Sequence, residues 1–195
     1  IVAVKVQHLN IEEIAKLDLG LILKLLKIVQ VFIKIPGFNS VFEEVKKMIQ
    51  EELDYVHEAQ QIEIISSNLK KDDRIVIPKV YNQLSTCKVL VMDFVEGEKI
   101  TDHAFLAQNG IDTEVVIKNF LDIFSKNIFI DGVYHADPHP GNVLVNESGQ
   151  IVLLDFGAIG NLGKKMKEGI IILMQAAILK DENLMITGFK KMGFW

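Results

Sequence analysis

The chain has 195 residues and a formal net charge of −5, and 49% of its residues are hydrophobic against 24% charged. This composition is typical of a globular protein of about one domain, and it excludes collagen-like and low-complexity classes, while a mean hydropathy of +0.26 is too low for a polytopic membrane protein. The single cysteine, Cys87, excludes a disulfide framework, and only one of 21 basic residues, Arg74, is an arginine, which disfavours a nucleic-acid partner because arginine is the preferred contact for phosphates and base edges.

The chain opens with a predicted strand and a predicted amphipathic helix. In residues 1–7, apolar and polar side chains alternate with the period of two that is typical of a strand. Within residues 11–35, seven polar side chains fall on one arc at helical spacing, and Asp18 is the one charged residue outside that arc. The lysines within this segment argue against a membrane span, so we expect a helix that covers the core, with contact to a membrane surface as the alternative.

A second helix and two strands are predicted next. Residues 40–69 are expected to form one long helix, which Ser40 would cap together with Glu43. The runs 74–81 and 87–94 have strand-like composition, and a proline in the first confines it to an edge or an irregular strand.

The second half of the chain alternates helices with a hairpin. We expect an amphipathic helix over 112–130, a loop over 131–142, strands over 143–145 and 151–155, and helices from 161 to 190. The order of elements predicts an α+β fold whose two halves meet near residues 93–97. We therefore place a first domain at 1–95 and a second at 96–195.

Polar residues with catalytic chemistry concentrate in the loop before the predicted hairpin. The run YHADPHPGN ends at Asn142, and a strand that reads as buried ends thirteen residues later in Asp155, Phe156 and Gly157. Asp137, Asn142 and Asp155 would lie on the two arms of the hairpin, and hard oxygen donors of this kind suit Mg²⁺ with water and phosphate oxygens as further ligands. An aspartate five residues before the asparagine suits a separate task, which is to orient or deprotonate a hydroxyl or a water.

The motifs together resemble a known family. HADPHPGN is similar to the kinase catalytic loop, DFG stands as it does in protein kinases, and VAVK resembles the strand that carries the phosphate-binding lysine. With EELDYVHEA at 51–59 and VLVMDFVEG at 89–97, the chain resembles the UbiB-type atypical kinase-like family, ATP-binding proteins tied to ubiquinone biosynthesis. The resemblance implies a bilobal protein-kinase-like fold with an incomplete N-lobe, a helical C-lobe, and Mg²⁺ with ATP or ADP as cofactors.

The resemblance also implies a role for individual residues. Lys5 would contact the α- and β-phosphates and pair with Glu52, the first acid of the family's E-x-D motif, and Asp54 would be the second acid. Asp137 would be the catalytic-loop aspartate, and Asn142 and Asp155 would be the metal ligands. The hinge that holds adenine would comprise Met92, Asp93, Phe94 and Val95.

The chain also departs from the patterns of its relatives. His139 stands where ordinary protein kinases carry a lysine, and a neutral imidazole does not supply a permanent charge. The family's alanine-rich nucleotide loop and K-x-G-Q motif would precede Ile1, and its C-terminal extension would follow the last residue, so we expect a protein truncated at both ends.

The resemblance implies a cytoplasmic protein at the inner face of a membrane. Its partners would be a nucleotide, a lipid or quinone precursor, and quinone-biosynthesis proteins. Two alternatives stay open: a small-molecule kinase of the aminoglycoside-phosphotransferase type, which has a similar loop, and a non-catalytic kinase-shaped module that contacts a membrane surface through residues 11–35.

Overall fold

A computed structural model describes residues 1–32 and 38–194. The chain divides into two compact units, one formed by Ile1–Glu63 and Pro78–Phe94 and the other by Ile64–Ile77 and Val95–Trp195. Residues 64–77 thus group with the second unit, whereas the sequence prediction placed them in the first domain.

The first unit is built on a two-stranded antiparallel sheet with three helices. Strand β1 (Val2–Val6) pairs with β3 (Val89–Asp93), and Lys5 lies opposite Leu90. The helices are α1 (Ile11–Phe32), α2 (Phe38–Glu52) and the start of α3 (Tyr55–Leu69). Among the buried side chains of this unit are Phe42, Tyr55, Ala59, Ile62, Leu90 and Val91.

The predicted long helix is two helices. The segment from 40 to 69 breaks between Glu52 and Tyr55, so α2 and α3 are separate, and Ser40 lies inside α2 because that helix already begins at Phe38. The prediction of one helix capped at Ser40 is therefore wrong.

Helix α1 differs from the predicted core-covering helix in what its faces contact. It begins at Ile11 as expected and is described to Phe32, so the predicted last residues 33–35 lie outside the described part. Leu19, Leu23 and Leu26 of this helix are half-buried, so part of its apolar surface does pack. A second apolar stripe is 46% to 69% exposed at each position, namely Ile14, Leu17, Leu21, Ile22, Leu25 and Ile28. Across the described residues, none of the helices combines the length and the apolar character that a bilayer crossing requires.

The second unit carries a sheet of four strands, β2 (Ile75–Val76), β4 (Glu98–Lys99), β6 (Val143–Val145) and β7 (Ile151–Leu153). Their order in the sheet is β2, β7, β6, β4. The predicted hairpin is present, since Val143 lies opposite Leu153. The predicted strand over 74–81 shrinks to two residues, which pair in parallel with β7.

The helices of this unit are α4 (His103–Gln108), α5 (Thr113–Lys126), α6 (Lys164–Leu179) and α7 (Glu182–Met192). Helix α5 is shorter than predicted, because a π-helical turn occupies Asn127–Asp131. The predicted loop after it contains a strand, β5 (Val133–His135), which pairs with β8 (Ile159–Asn161) on the far side of the hairpin.

The core of the second unit holds the hairpin rigidly. Every side chain of β7 is at most 1% exposed, as is Phe156, which follows it. A second cluster joins Leu106 and Val116 to Val145 of β6. Burying a side chain of this size stabilises the fold by about 1.5–3 kcal/mol. The loops at the ends of β6 and β7 are therefore anchored to a well-packed sheet.

Candidate functional site

The lysine of β1 is held by a buried glutamate. Lys5 Nζ lies 2.9 Å and 3.0 Å from the two carboxylate oxygens of Glu58, and Glu58 is only 2% exposed. The lysine also lies over the ring of Tyr55, 5.1 Å from its centroid. A buried carboxylate requires a compensating charge, so the ammonium and the carboxylate fix one another.

The sequence prediction gave the role of this glutamate to Glu52, and that prediction is wrong. Glu52 is the exposed last residue of α2, whereas Glu58 lies in the first turns of α3. One signal in the sequence could have identified Glu58: it shares the spacing of the buried Ile62, Ile65 and Leu69, so it stands on the apolar face of its helix. An acid in that position needs a partner.

Asp54, predicted to be the second acid of a cofactor-binding motif, lies at the N-terminus of α3. Its side-chain Oδ1 accepts a hydrogen bond from Val56 N at 3.0 Å. This contact is that of a helix N-cap, because it satisfies one of the donors that the first turn leaves without an intrahelical acceptor.

The predicted hinge is ordered by contacts of Asp93. The Tyr81 hydroxyl donates to Asp93 Oδ1 at 2.7 Å, and Asp93 N donates to Lys79 O at 2.9 Å. The hydrogen bond to the carboxylate raises the pKa of Tyr81 above its ordinary value, with the charge of Asp93 adding to the effect. Met92 and Asp93 end β3, while Phe94 is 53% exposed after it. Val95, the fourth predicted hinge residue, begins the next segment of the second unit.

In the second unit, Asp137 and Asn142 are in direct contact. Asn142 Nδ2 donates to the main-chain oxygen and to Oδ2 of Asp137, both at 3.2 Å. The main chain of Asn142 is fixed on both sides, by His139 O at 2.7 Å and by Leu154 N at 2.8 Å. The amide nitrogen of Asn142 therefore faces the aspartate.

A buried histidine ties the loop to the end of β7. His135 is 1% exposed, its Nδ1 accepts from Asp137 N at 3.2 Å, and its Nε2 lies 3.0 Å from Leu154 O. Since Nδ1 accepts, the proton is on Nε2 and is donated to Leu154. The ring also packs on Phe156 with centroids 5.4 Å apart. Sequence reasoning gave His135 no specific role, although it is the first residue of the loop motif.

Asp155 follows β7 in an uncommon backbone conformation. Its φ is 54°, a value that non-glycine residues rarely adopt, and its Oδ1 accepts from Gly157 N at 3.4 Å. Strain of this kind persists where the surroundings enforce it, and here the buried Phe156 anchors the next residue. The exposed carboxylate is thereby held at a defined place beyond the strand.

The second unit thus carries Asp137, Asn142 and Asp155 on segments that His135 connects. Their carboxylate and amide oxygens are the donors that a hard cation prefers. Within the described residues, no group of three or more histidines, cysteines, aspartates and glutamates has an arrangement that would hold a metal alone. A cation here would need further ligands from water or from a bound phosphate.

The fold is kinase-like. Its features are a strand lysine paired with a helix glutamate, a polar loop of the catalytic type, and an aspartate after the second strand of the hairpin. One solved structure matches over nearly the whole chain. The structure of Rv3197 in complex with erythromycin, from Mycobacterium tuberculosis, matches with a TM-score of 0.71 and 26% identity over 97% of this chain and 48% of that chain. The chain belongs to the family of the ABC1 atypical kinase-like domain, whose model matches residues 1–188.

Named relatives agree with this membership. AarF domain-containing protein kinase 1 of Gallus gallus is 36% identical over 92% of this chain and 36% of the relative. Protein ACTIVITY OF BC1 COMPLEX KINASE 1, chloroplastic, of Arabidopsis thaliana is 33% identical over 99% of this chain and 29% of the relative. The chain therefore spans about a third of the length of these two relatives.

Proposed function

We propose that this chain belongs to an ATP- and Mg²⁺-binding kinase-like ATPase or phosphotransferase that supports the synthesis of isoprenoid quinones such as ubiquinone. The observation that carries the proposal is the pair of Lys5 with the buried Glu58, 2.9 Å apart. A lysine fixed in this way is a preorganised positive charge, and positioning and charge stabilisation are the main catalytic tasks in phosphoryl transfer.

The roles in this proposal follow the chemistry of each residue. Lys5 contacts the phosphates, Asn142 and Asp155 hold the metal ion, and Asp137 orients an attacking hydroxyl or water. The main chain of Met92, Asp93, Phe94 and Val95 holds adenine. The bound Mg²⁺ would neutralise phosphate charge. Glu52 is left outside the Lys5 pair, so we give it no part in nucleotide binding.

The quinone role rests on resemblance and on one relative's name. The Arabidopsis thaliana relative is named for the activity of the BC1 complex. The UbiB-like motifs add the link to ubiquinone synthesis and to partners in that synthesis. An aminoglycoside-type small-molecule kinase receives less support, because a family model of another kind matches residues 1–188.

Nucleotide binding is tested by thermal unfolding of the chain with ATP and ADP, each with and without Mg²⁺. A ligand at 100 times its Kd adds about 2.7 kcal/mol, which corresponds to a shift of a few degrees in Tm for a chain of this size. We expect a Mg²⁺-dependent shift that Asp155→Asn abolishes. Asp112→Asn is the matched control, since Asp112 caps α5 and asparagine preserves a cap. A folded protein without any shift would refute nucleotide binding by this chain.

A membrane-surface role is a second candidate, and the exposed stripe of α1 favours it. Apolar side chains on one helix face enter the interface of a bilayer, whereas scattered exposed apolar residues are ordinary on a protein surface. Such a role would place the protein on the inner face of a membrane, near lipid or quinone-precursor partners.

Co-sedimentation with phosphatidylcholine and phosphatidylglycerol vesicles tests this candidate. Leu21→Glu should abolish co-sedimentation, because it puts a charge in the middle of the stripe. Leu121→Glu is the matched control: Leu121 lies on α5, and both leucines are 57% exposed. Equal binding by the two variants would contradict a role for α1 in membrane contact.

A further inference from the structure

The junction between α2 and α3 is hydrogen-bonded to the segments that adjoin both strands of the first unit's sheet. The Gln7 side-chain amide, just after β1, donates to Leu53 O. Tyr55 N donates to Cys87 O at 3.1 Å, two residues before β3. The start of α3 is therefore fixed relative to the strand that carries Lys5.

Asp54 is the residue at which the chain turns from this junction into α3. Its main-chain oxygen accepts from Glu58 N at 3.2 Å, and its side chain accepts from Val56 N at 3.0 Å. Both the main chain and the side chain of Asp54 thus accept hydrogen bonds from the first turn of α3. Glu58 lies one turn later, so its position depends on that first turn being formed.

We propose that Asp54 is a positioning residue: it caps α3 and so holds Glu58 against Lys5, and it does not act as a ligand of the nucleotide or the metal. This inference deepens the proposed function, on which it rests. It also reassigns the second acid of the E-x-D motif from binding a cofactor to building the helix that orders the phosphate-binding lysine.

Substitutions at Asp54 separate capping from charge. Asparagine is as good an N-cap as aspartate but is neutral, whereas glutamate keeps the charge and is not a preferred cap. Alanine removes both properties. A capping role predicts that Asp54→Asn resembles the wild type while Asp54→Glu and Asp54→Ala are impaired, and a ligand role predicts that Asp54→Glu is better than Asp54→Asn.

The first measurement needs no nucleotide. The rate at which an amine-acetylating reagent modifies Lys5 is followed by peptide mass spectrometry, since an ammonium held by a buried carboxylate reacts slowly. We expect Asp54→Ala and Asp54→Glu to raise the rate about threefold to tenfold, which is the fold-change that corresponds to the free energy of a helix N-cap. Asp54→Asn should stay within about twofold of the wild-type rate.

The matched control is Asp181→Ala. Asp181 caps α7 through a hydrogen bond from Leu184 N at 3.0 Å, and α7 belongs to the second unit. Its loss should lower Tm by an amount similar to Asp54→Ala without changing the Lys5 rate. Equal Lys5 rates in the wild type, Asp54→Glu and Asp54→Ala would overturn the proposal, as would an Asp54→Asn rate equal to that of Asp54→Ala. If Asp54→Ala does not fold, the comparison of Asp54→Asn with Asp54→Glu decides alone.

The second measurement is the Kd of Mg-ATP for the same variants. We expect Asp54→Asn to keep the wild-type Kd and Asp54→Glu to weaken binding in step with the Lys5 rate. If Asp54→Asn loses Mg-ATP binding while Asp54→Glu keeps the wild-type Kd, the positioning role is overturned in favour of a ligand role. A wild-type chain that binds no nucleotide would refute the proposed function, while the Lys5 rates would still test the positioning of Glu58.

Discussion

His135 shows how one buried side chain can join two functional segments. It accepts from Asp137 N and donates to Leu154 O, so the same ring fixes the catalytic-type loop and the residue before Asp155. The bond from Asp137 N is local, whereas the bond to Leu154 O joins residues 19 positions apart in the sequence, so the two bonds together connect the loop to the end of β7. A neutral, buried imidazole with one proton suits this task because it offers one donor and one acceptor.

His135→Ala should destabilise the chain by about 2–4 kcal/mol, because the variant leaves a cavity at a buried position and removes the hydrogen bonds to Asp137 N and Leu154 O, which are partly buried. The exposed His139 in the same loop provides the control, and His139→Ala should change the free energy of unfolding by less than about 0.5 kcal/mol. Urea unfolding followed by circular dichroism measures both. Similar losses in the two variants would show that the loop and the strand end are not held by His135.

At the scale of elements, helix breaks and helix crossings place the side chains that matter. The interruption between α2 and α3 puts Glu58 one turn into a new helix and leaves Glu52 at the exposed end of the old one.

The crossing of α6 and α7 depends on two buried glycines, Gly169 and Gly188. A Cβ on Gly169 would lie 2.9 Å from Gly188 O and would overlap Met192, so only glycine allows the helices this approach.

Gly169→Ala should therefore destabilise the chain by about 1–3 kcal/mol through overpacking. Gly20→Ala is a matched control within a helix, because a Cβ there meets nothing within 4 Å. It should stabilise the chain by up to about 1 kcal/mol, the difference in helix propensity between glycine and alanine. Thermal unfolding of both variants measures the contrast. A stabilised Gly169→Ala would mean that α6 and α7 do not pack closely there.

At the scale of the whole molecule, Asp72 is one source of the dependence of stability on pH. Arg74, the only arginine of the chain, donates to Asp72 at 2.7 Å and lies 3.4 Å from Asp122 of α5. The hydrogen bonds from the guanidinium are the largest cause that holds the pKa of Asp72 below its ordinary value, although partial burial opposes them. Asp72 thus binds a proton less readily in the folded chain than in the unfolded chain.

The sign of the resulting pH effect follows from linkage. A carboxyl group whose pKa is lowered by folding stabilises the protein above its unfolded pKa of about 3.9, and that contribution is lost as the pH falls through the folded value. We expect the difference in unfolding free energy between the wild type and Asp72→Asn to be constant from pH 7 to 5 and to shrink below about pH 4. Urea titrations over this range test it, with the exposed neighbour Asp73→Asn as control. A difference that does not change with pH would show that Asp72 does not contribute to the pH dependence.

The sequence by itself determined the elements whose signals are local. Side-chain periods of two and 3.6 can be recognised without knowledge of the rest of the chain. They predicted the strand in residues 1–7, the helix from residue 11 onward and the hairpin between 143 and 155. The spacing of Asp137, Asn142 and Asp155 also indicated one group of oxygen donors. Family membership follows from the same motifs, since they occur in order along the chain.

Only the tertiary structure decided which residues are partners. Glu58 and not Glu52 pairs with Lys5, 53 residues away in sequence, because helix α2 ends and α3 begins between the two acids. The strands β5 and β8 pair across the hairpin, and β2 joins β7 in parallel, although neither pairing has a local signal. The exposure of the apolar stripe of α1 also could not be predicted, because an amphipathic pattern identifies an apolar helix face but not whether another segment covers it. Periodicity fixes the conformation of a segment, whereas burial and pairing depend on contacts between segments that are distant in the sequence.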